Sequence, residues 1–200
     1  SHKKLNIGKR VAIVGVGNVM MDIARWLMDD VQVDEVIAVA RRGPAEVKFD
    51  RKELETVISQ IDLHRLQEEI NRVSTIMRLV EQDPDEAIQI YHEAQVHALD
   101  HHTHTNLTIR FLSSPRQILL DPTGKIRGLE IEATTLIRNG EEVKAVGTGE
   151  LSILEVDTVI FAIGDSVDTN VGLPMDGNQF VKNPNSRFLV EGESYESCAS

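Results

Sequence analysis

The chain has 200 residues, enough to bury one sizeable core, and its 41% hydrophobic and 26% charged residues are ordinary for a globular protein. A formal net charge of −11 excludes the basic footprint of a general nucleic-acid binder and leaves any anionic cofactor to be held by local groups. One cysteine, Cys198, excludes an internal disulfide, a Cys-x-x-Cys redox pair and a thiolate iron–sulfur site within the chain, while the lack of a signal peptide or a membrane-length apolar run predicts a cytoplasmic protein with no membrane partner.

Ser1-His2 reads as a cloning remnant, and both ends read as cut, which predicts a domain excised from a longer chain. The first element is Val11 to Val14, an apolar run of the kind that forms a buried parallel strand. Gly15 and Gly17 follow as a turn. A helix is then predicted from Asn18 to about residue 30, with Val19, Ile23, Ala24 and Leu27 inward. Strand, glycine turn and helix N-terminus form the arrangement that seats a dinucleotide pyrophosphate. Gly15 permits the tight turn, and Gly17 leaves the phosphates unobstructed. The third small residue of that fingerprint belongs at position 20, where Met20 stands instead. A βα turn with glycines and no ligand remains the alternative.

A second apolar strand, Glu35 to Ala40, completes a right-handed βαβ unit. A dinucleotide site selective for NAD places a carboxylate at the end of this strand to hold the ribose 2′-hydroxyl. Here the chain reads Ala40-Arg41-Arg42-Gly43-Pro44. Two guanidiniums suit a 2′-phosphate through forked, charge-assisted hydrogen bonds, and a carboxylate would repel it. The pattern predicts NADP(H), with a pair of solvated arginines as the plainer alternative.

Asp50 is predicted to cap a helix from Arg51 to about Ser59, with Leu54, Val57 and Ile58 inward and Glu53 and Glu55 solvated. Amphipathic helices follow over 65–81, with Leu66, Ile70, Val73 and Met77 inward, and from the Asp83-Pro84-Asp85 break to about Leu99. This helical segment, about 51–99, carries no chemistry of its own. His92, His97, His101, His102 and His104 end it. His97 and His101 have the four-residue spacing of a metal pair, but no cysteine is near and Asp100 is the only close carboxylate, so a solvated loop is expected and no metal site is assigned.

From Asn106 the period changes to that of strands: 107–112, 116–120, a long strand 125–137, an Asn139-Gly140 hairpin, then 142–145 and 150–154. These predict an antiparallel β-meander over about 107–155, inserted before the parallel sheet resumes with Asp157 to Ile163. Gly164 ends that strand where a cofactor ring can approach. The expected fold is α/β: a Rossmann-like parallel sheet with an inserted helical segment and an antiparallel β-meander, all within one domain over 1–200.

Four ordered segments, Gly15–Arg25, Arg41-Arg-Gly-Pro44 through Phe49 and Glu53, Arg110–Ile118 and Asp157–Gly164, together resemble the NADP domain of adrenodoxin-reductase-like ferredoxin–NADP reductases. The small subunit of glutamate synthase and related flavin oxidoreductases are similar. The likeness covers about 9–58 and 107–190 and is weak over 60–104. It implies an NADP domain inserted into an FAD domain, in an enzyme that passes hydride from NADPH to FAD and electrons on to an iron–sulfur protein. It also implies pyrophosphate contact at Gly17, Asn18 and Val19, 2′-phosphate contact at Arg41 and Arg42, and a cofactor role for Glu53. Met20 stands where the family has alanine, and Asp165 where many members have an aromatic residue.

Neither FAD-binding stretch of that family is found in the sequence, so the chain is expected to bind NADP(H), to bind no FAD, and to be inactive alone. No catalytic residue is assigned. The expected partners are an FAD domain of the same chain and an iron–sulfur protein or large subunit as acceptor. The net charge of −11 favours an intramolecular or subunit acceptor at least as much as a free acidic ferredoxin. The competing readings are a dinucleotide sensor without turnover and a degenerate subunit-contact scaffold.

Overall fold

The computed structural model describes residues 6–98 and 103–163, and four short strands at 175–176, 179–180, 189–190 and 193–194. The chain divides into two units, Ser1–Ile163 and Gly164–Ser200. In the second, β8 (Met175–Asp176) pairs with β9 (Gln179–Phe180) and β10 (Leu189–Val190) with β11 (Glu193–Ser194), both antiparallel. Gly164, Asp165, His101, His102 and Cys198 lie outside the described residues.

The apolar runs become the expected strands of the first unit: β1 (Arg10–Val14), β2 (Glu35–Val39) and β7 (Thr158–Phe161). With β3 (Asn106–Arg110) they form one parallel sheet in the order β3-β2-β1-β7. Side chains alternate between its faces. Val11 and Ile13 pack into the larger core with the helices, whereas Ala12, Val14, Ile37 and Val39 pack against Leu129, Ile131 and Val156. Covering both faces is why β1 and β2 read as continuous apolar runs.

The strand at 106–110 corrects the sequence reading. It was expected to open the meander, yet it pairs parallel with β2, Val36 opposite Leu107 and Val39 opposite Arg110. The meander is β4 (Ser113–Leu120), β5 (Ile126–Asn139) and β6 (Glu142–Leu154), antiparallel in that order. Leu112, at φ 48°, turns the chain from one sheet to the other. The two strands expected at 142–145 and 150–154 are one strand, β6, with a shift in register opposite Glu132 to Thr134.

Helix α1 (Asn18–Trp26) continues as one π-helical stretch, Leu27–Val31. Its buried stripe is Met20, Ala24, Leu27 and Met28, at the i, i+4, i+7, i+8 spacing of a core-facing helix, with Met21 beside it. Val19, expected inward, is 54% exposed. Met20 is wholly buried, and the turn still closes with Met20 N–H donating to the Gly17 carbonyl at 3.0 Å.

The helical layer comprises α2 (Arg51–Glu55), α3 (Leu63–Leu79) and α4 (Pro84–Val96). α2 is shorter than expected, and Asp50 stands at its N-cap without making a side-chain capping bond. Asp62 and Asp83 do cap α3 and α4. α4 ends at Val96 with His97 out of the helix, so the four-residue spacing to position 101 is not carried on a helix. Among the described residues no cluster suits a metal ion, and no helix is long and apolar enough to cross a membrane.

The Glu69 carboxylate ties α3 to the end of β3. Phe111 N–H donates to it at 2.8 Å, Arg110 at 3.1 Å and Arg72 at 2.6 Å, while Arg72 also reaches the Phe111 carbonyl at 2.8 Å. Tyr91 of α4 is fully buried, edge-on to Phe49 at 6.1 Å, and burial pushes its phenol well above the usual range.

Candidate functional site

All four parallel strands end at one edge, and there the chain makes the contacts that matter. Gly15 N–H donates to the Val39 carbonyl at 3.0 Å, and Ala162 N–H to the Val14 carbonyl at 2.8 Å. Gly15 has φ +126°, and a Cβ on it would lie 2.3 Å from the Ala162 carbonyl oxygen. The fold itself therefore requires glycine at position 15.

Gly17 is different. Its φ of −125° and ψ of −175° suit any residue, and a Cβ would meet nothing nearer than the Lys48 carbonyl oxygen at 3.8 Å. The fold does not need glycine here. What the missing side chain provides is open space at the N-cap of the nine-residue helix α1, which no side chain caps. A pyrophosphate needs such a cradle, open at the positive end of a helix.

The second part of the site is the end of β2. Ala40 N–H donates to the Arg110 carbonyl at 2.8 Å, Ser113 N–H to the Ala40 carbonyl at 2.9 Å and Leu112 N–H to the Arg42 carbonyl at 3.2 Å. The Thr134 hydroxyl, on β5, donates to the Arg41 carbonyl at 2.7 Å. The β3–β4 turn and the meander thus hold the Arg41-Arg42 backbone. The meander, an insertion by its place in the sequence, is a buttress in the fold. Thr134 is 2% exposed. Thr134→Val keeps the shape and strands the Arg41 carbonyl, at an expected cost of about 1–3 kcal/mol in a denaturation midpoint. An unchanged midpoint would show the bond to be dispensable.

The two guanidiniums are not equivalent. Arg41 is exposed and makes no ion pair among the described residues. Arg42 Nη1 lies 3.6 Å from Glu46 Oε1, and Glu46 Oε2 accepts the Gly43 N–H at 3.2 Å. No carboxylate stands at the strand end itself, but one comes beside Arg42 in the fold. Glu46 enters from the 3₁₀ turn Pro44–Glu46, four residues on. The Gly43/Glu46 spacing, that of a capping box, was the signal available for it.

After that turn the chain runs back across the glycine loop. Lys48 N–H donates to the Val16 carbonyl at 3.1 Å, and Gly17 and Lys48 form a single parallel bridge. Asn18 and Asp50 then pair reciprocally: Asn18 Nδ2 donates to Asp50 Oδ2 at 2.9 Å, and Asp50 N–H donates to Asn18 Oδ1 at 2.8 Å. No sequence signal foretold this pair, 32 residues apart. Glu53, the third residue of α2, is half-buried, and its carboxylate makes no bond among the described residues. Gly15, Gly17, Asn18, Val19, Arg41 and Arg42 thus share the carboxyl edge, Glu53 stands on the short helix that follows the returning strand, and Gly164 is not described.

A cavity of about 640 Å³ opens between the Pro44–Glu46 turn and α4. Glu81, Asp83, Glu86 and Glu93 line it, so it suits no phosphate-bearing ligand.

A glycine turn at a helix N-terminus, the carboxyl ends of a parallel sheet and paired arginines after the second strand thus lie together at one edge of an α/β fold. No family model matches the chain. It is 25% identical over 242 residues to the "Probable NADPH:adrenodoxin oxidoreductase, mitochondrial" of Dictyostelium discoideum, covering 96% of this chain and 46% of that protein. The human mitochondrial NADPH:adrenodoxin oxidoreductase is 27% identical over 189 residues, covering 76% of this chain and 37% of its own length. The NADPH-ferredoxin reductase FprA of Mycobacterium tuberculosis is 25% identical over 218 residues, covering 94% and 46%. Among solved structures, Mycobacterium tuberculosis FprA in complex with NADPH superposes at a TM-score of 0.61 and 24% identity, over 88% of this chain and 43% of that one, which shows the shared fold. The chain is thus similar to adrenodoxin-reductase-like FAD oxidoreductases, and it spans about half the length of the curated relatives it matches.

Proposed function

We propose that the chain is the NADP(H)-binding domain of an FAD-dependent oxidoreductase. The observation that carries this is Gly17: an open, side-chain-free position at the N-terminus of α1 that neither backbone conformation nor packing requires. In this reading the first-turn amides of Gly17, Asn18 and Val19 hold the pyrophosphate, Arg41 and Arg42 hold the 2′-phosphate, and Glu53 and Gly164 complete the cofactor contacts. NADPH, when bound, supplies a hydride. The residues of this chain orient it, and none is assigned to receive it.

The hydride acceptor in this reading is FAD, held by residues outside these 200, with an iron–sulfur protein or a partner subunit as the onward electron acceptor. The names of the relatives, adrenodoxin and ferredoxin reductases, and their roughly double length support both points. The chain alone is then expected to bind NADP(H) without turning it over, in the cytoplasm, with no nucleic-acid or membrane partner.

Calorimetric titration with NADPH and NADH tests the reading. Binding of NADPH at least tenfold tighter than NADH is expected, since charged hydrogen bonds contribute about 1.5–3 kcal/mol each. Equal affinity for the two would remove the 2′-phosphate assignment. No binding of either would favour the scaffold reading.

A further inference from the structure

We infer that Asp50 is a built-in determinant of dinucleotide affinity: its carboxylate is held at the pyrophosphate seat by Asn18 and opposes the phosphates there. This rests on the dinucleotide reading and adds to it a residue that the glycine turn and the arginines do not contain.

The geometry begins with Asn18, the first residue of α1. Both polar ends of its side chain are engaged by Asp50, the amide nitrogen donating to the carboxylate at 2.9 Å and the amide oxygen accepting the Asp50 N–H at 2.8 Å. A carboxylate is thereby fixed beside the first turn of the helix whose amide groups are open to an anion. The positive end of the helix favours any negative charge near it, so Asp50 takes part of the field a pyrophosphate would use.

The returning chain is tied down at the two residues before Asp50, since Lys48 N–H bonds the Val16 carbonyl and Phe49 is anchored on Tyr91. The bridge therefore fixes the backbone that carries Asp50, and the Asn18 bond holds its carboxylate. Its position at the N-cap of α2 does not explain it, because its side chain makes no capping bond there. The Asn18 pair is the side-chain bond it makes among the described residues. An incoming pyrophosphate meets a fixed like charge, and binding is weaker than an uncharged partner of Asn18 would allow.

The pyrophosphate is common to NADPH and NADH, whereas the 2′-phosphate is not. Asp50→Asn removes the charge and keeps an oxygen to accept from Asn18. Titration of the full 200-residue chain and of this variant, each with NADPH and NADH at low and at 0.5 M NaCl, separates the possibilities. The expected result is an affinity gain of about tenfold for both nucleotides at low salt, shrinking as salt screens the charge, with the NADPH/NADH ratio unchanged. Unchanged or weaker binding of both would overturn the proposal, as would a gain confined to NADPH, which would move Asp50 to the 2′-phosphate. A gain that salt leaves untouched would mean a packing effect and not a charge. An Arg41→Ala/Arg42→Ala chain serves as the second arm. If it binds NADPH like the parent while Asp50→Asn still tightens both nucleotides, the 2′-phosphate reading fails and the Asp50 reading stands. If neither the parent nor Asp50→Asn binds either nucleotide while circular dichroism shows both folded, the dinucleotide reading and this inference fail together.

Discussion

Gly15→Ala is expected to destabilise the protein by roughly 3 kcal/mol or more, while Gly17→Ala leaves stability within about 0.5 kcal/mol of the parent and removes most of the NADPH affinity. The two glycines lie two residues apart in the same turn, and their backbones separate them. At position 15 a methyl would sit 2.3 Å from the carbonyl oxygen of Ala162, the residue that follows β7, at a φ of +126° that side-chain-bearing residues rarely adopt. Relief would require the β1–β7 pairing to open, and Val11, Ala12 and Ile13 of β1 are wholly buried. At position 17 the backbone is extended and the added methyl meets only an oxygen at 3.8 Å. Its sole effect is to fill the space over the α1 amides. Thermal denaturation and an NADPH titration of both variants check this. A Gly17→Ala chain that binds NADPH as the parent does would show that the cradle is not used.

Arg41→Ala is expected to weaken NADPH binding roughly ten- to a hundred-fold and to leave NADH unchanged, the scale of one lost charge-assisted contact. Arg41 is exposed and free of ion pairs among the described residues, so its full charge is available to a phosphate. Arg42 shares its charge with Glu46 at 3.6 Å. Glu46→Gln should therefore increase the preference for NADPH several-fold, because it frees Arg42 and removes a like charge from the phosphate while keeping an oxygen for the Gly43 N–H. Measured ratios of NADPH to NADH affinity for the two single variants decide this. An Arg41→Ala chain with an unaltered ratio, or a Glu46→Gln chain with a lower one, would contradict the assignment.

The electrostatic character of the site is thus mixed. In the proposed reading arginines and helix amides attract the cofactor, and Glu46 and Asp50, both on the segment returning from β2, oppose it. In that reading Asp50 lowers affinity without touching the contacts that select NADPH, whereas Glu46 acts on them through Arg42. Met20, which departs from the fingerprint, has no part in this balance. It is wholly buried against the sheet, and the turn at Gly17 closes over it.

The sequence by itself determined the parallel βαβ unit, the glycine turn, the paired arginines and the helical stripe of Leu66, Ile70, Val73 and Met77. These are local patterns, written in spacings of two to four residues, and each is dictated by strand or helix period or by the shape of one turn. Tertiary structure alone decided that the strand at 106–110 joins the parallel sheet, that Thr134 on the meander braces Arg41, and that Asp50 is paired with Asn18. Partner choice for an apolar strand is not encoded in its own alternation, since Leu107 and Ile109 would bury equally well in a meander or beside β2. A hydrogen bond between residues 32 or 93 positions apart leaves no periodic trace. The Asp50 carboxylate was hidden for that reason, whereas Glu46, four residues from Arg42, left the capping-box spacing as its trace.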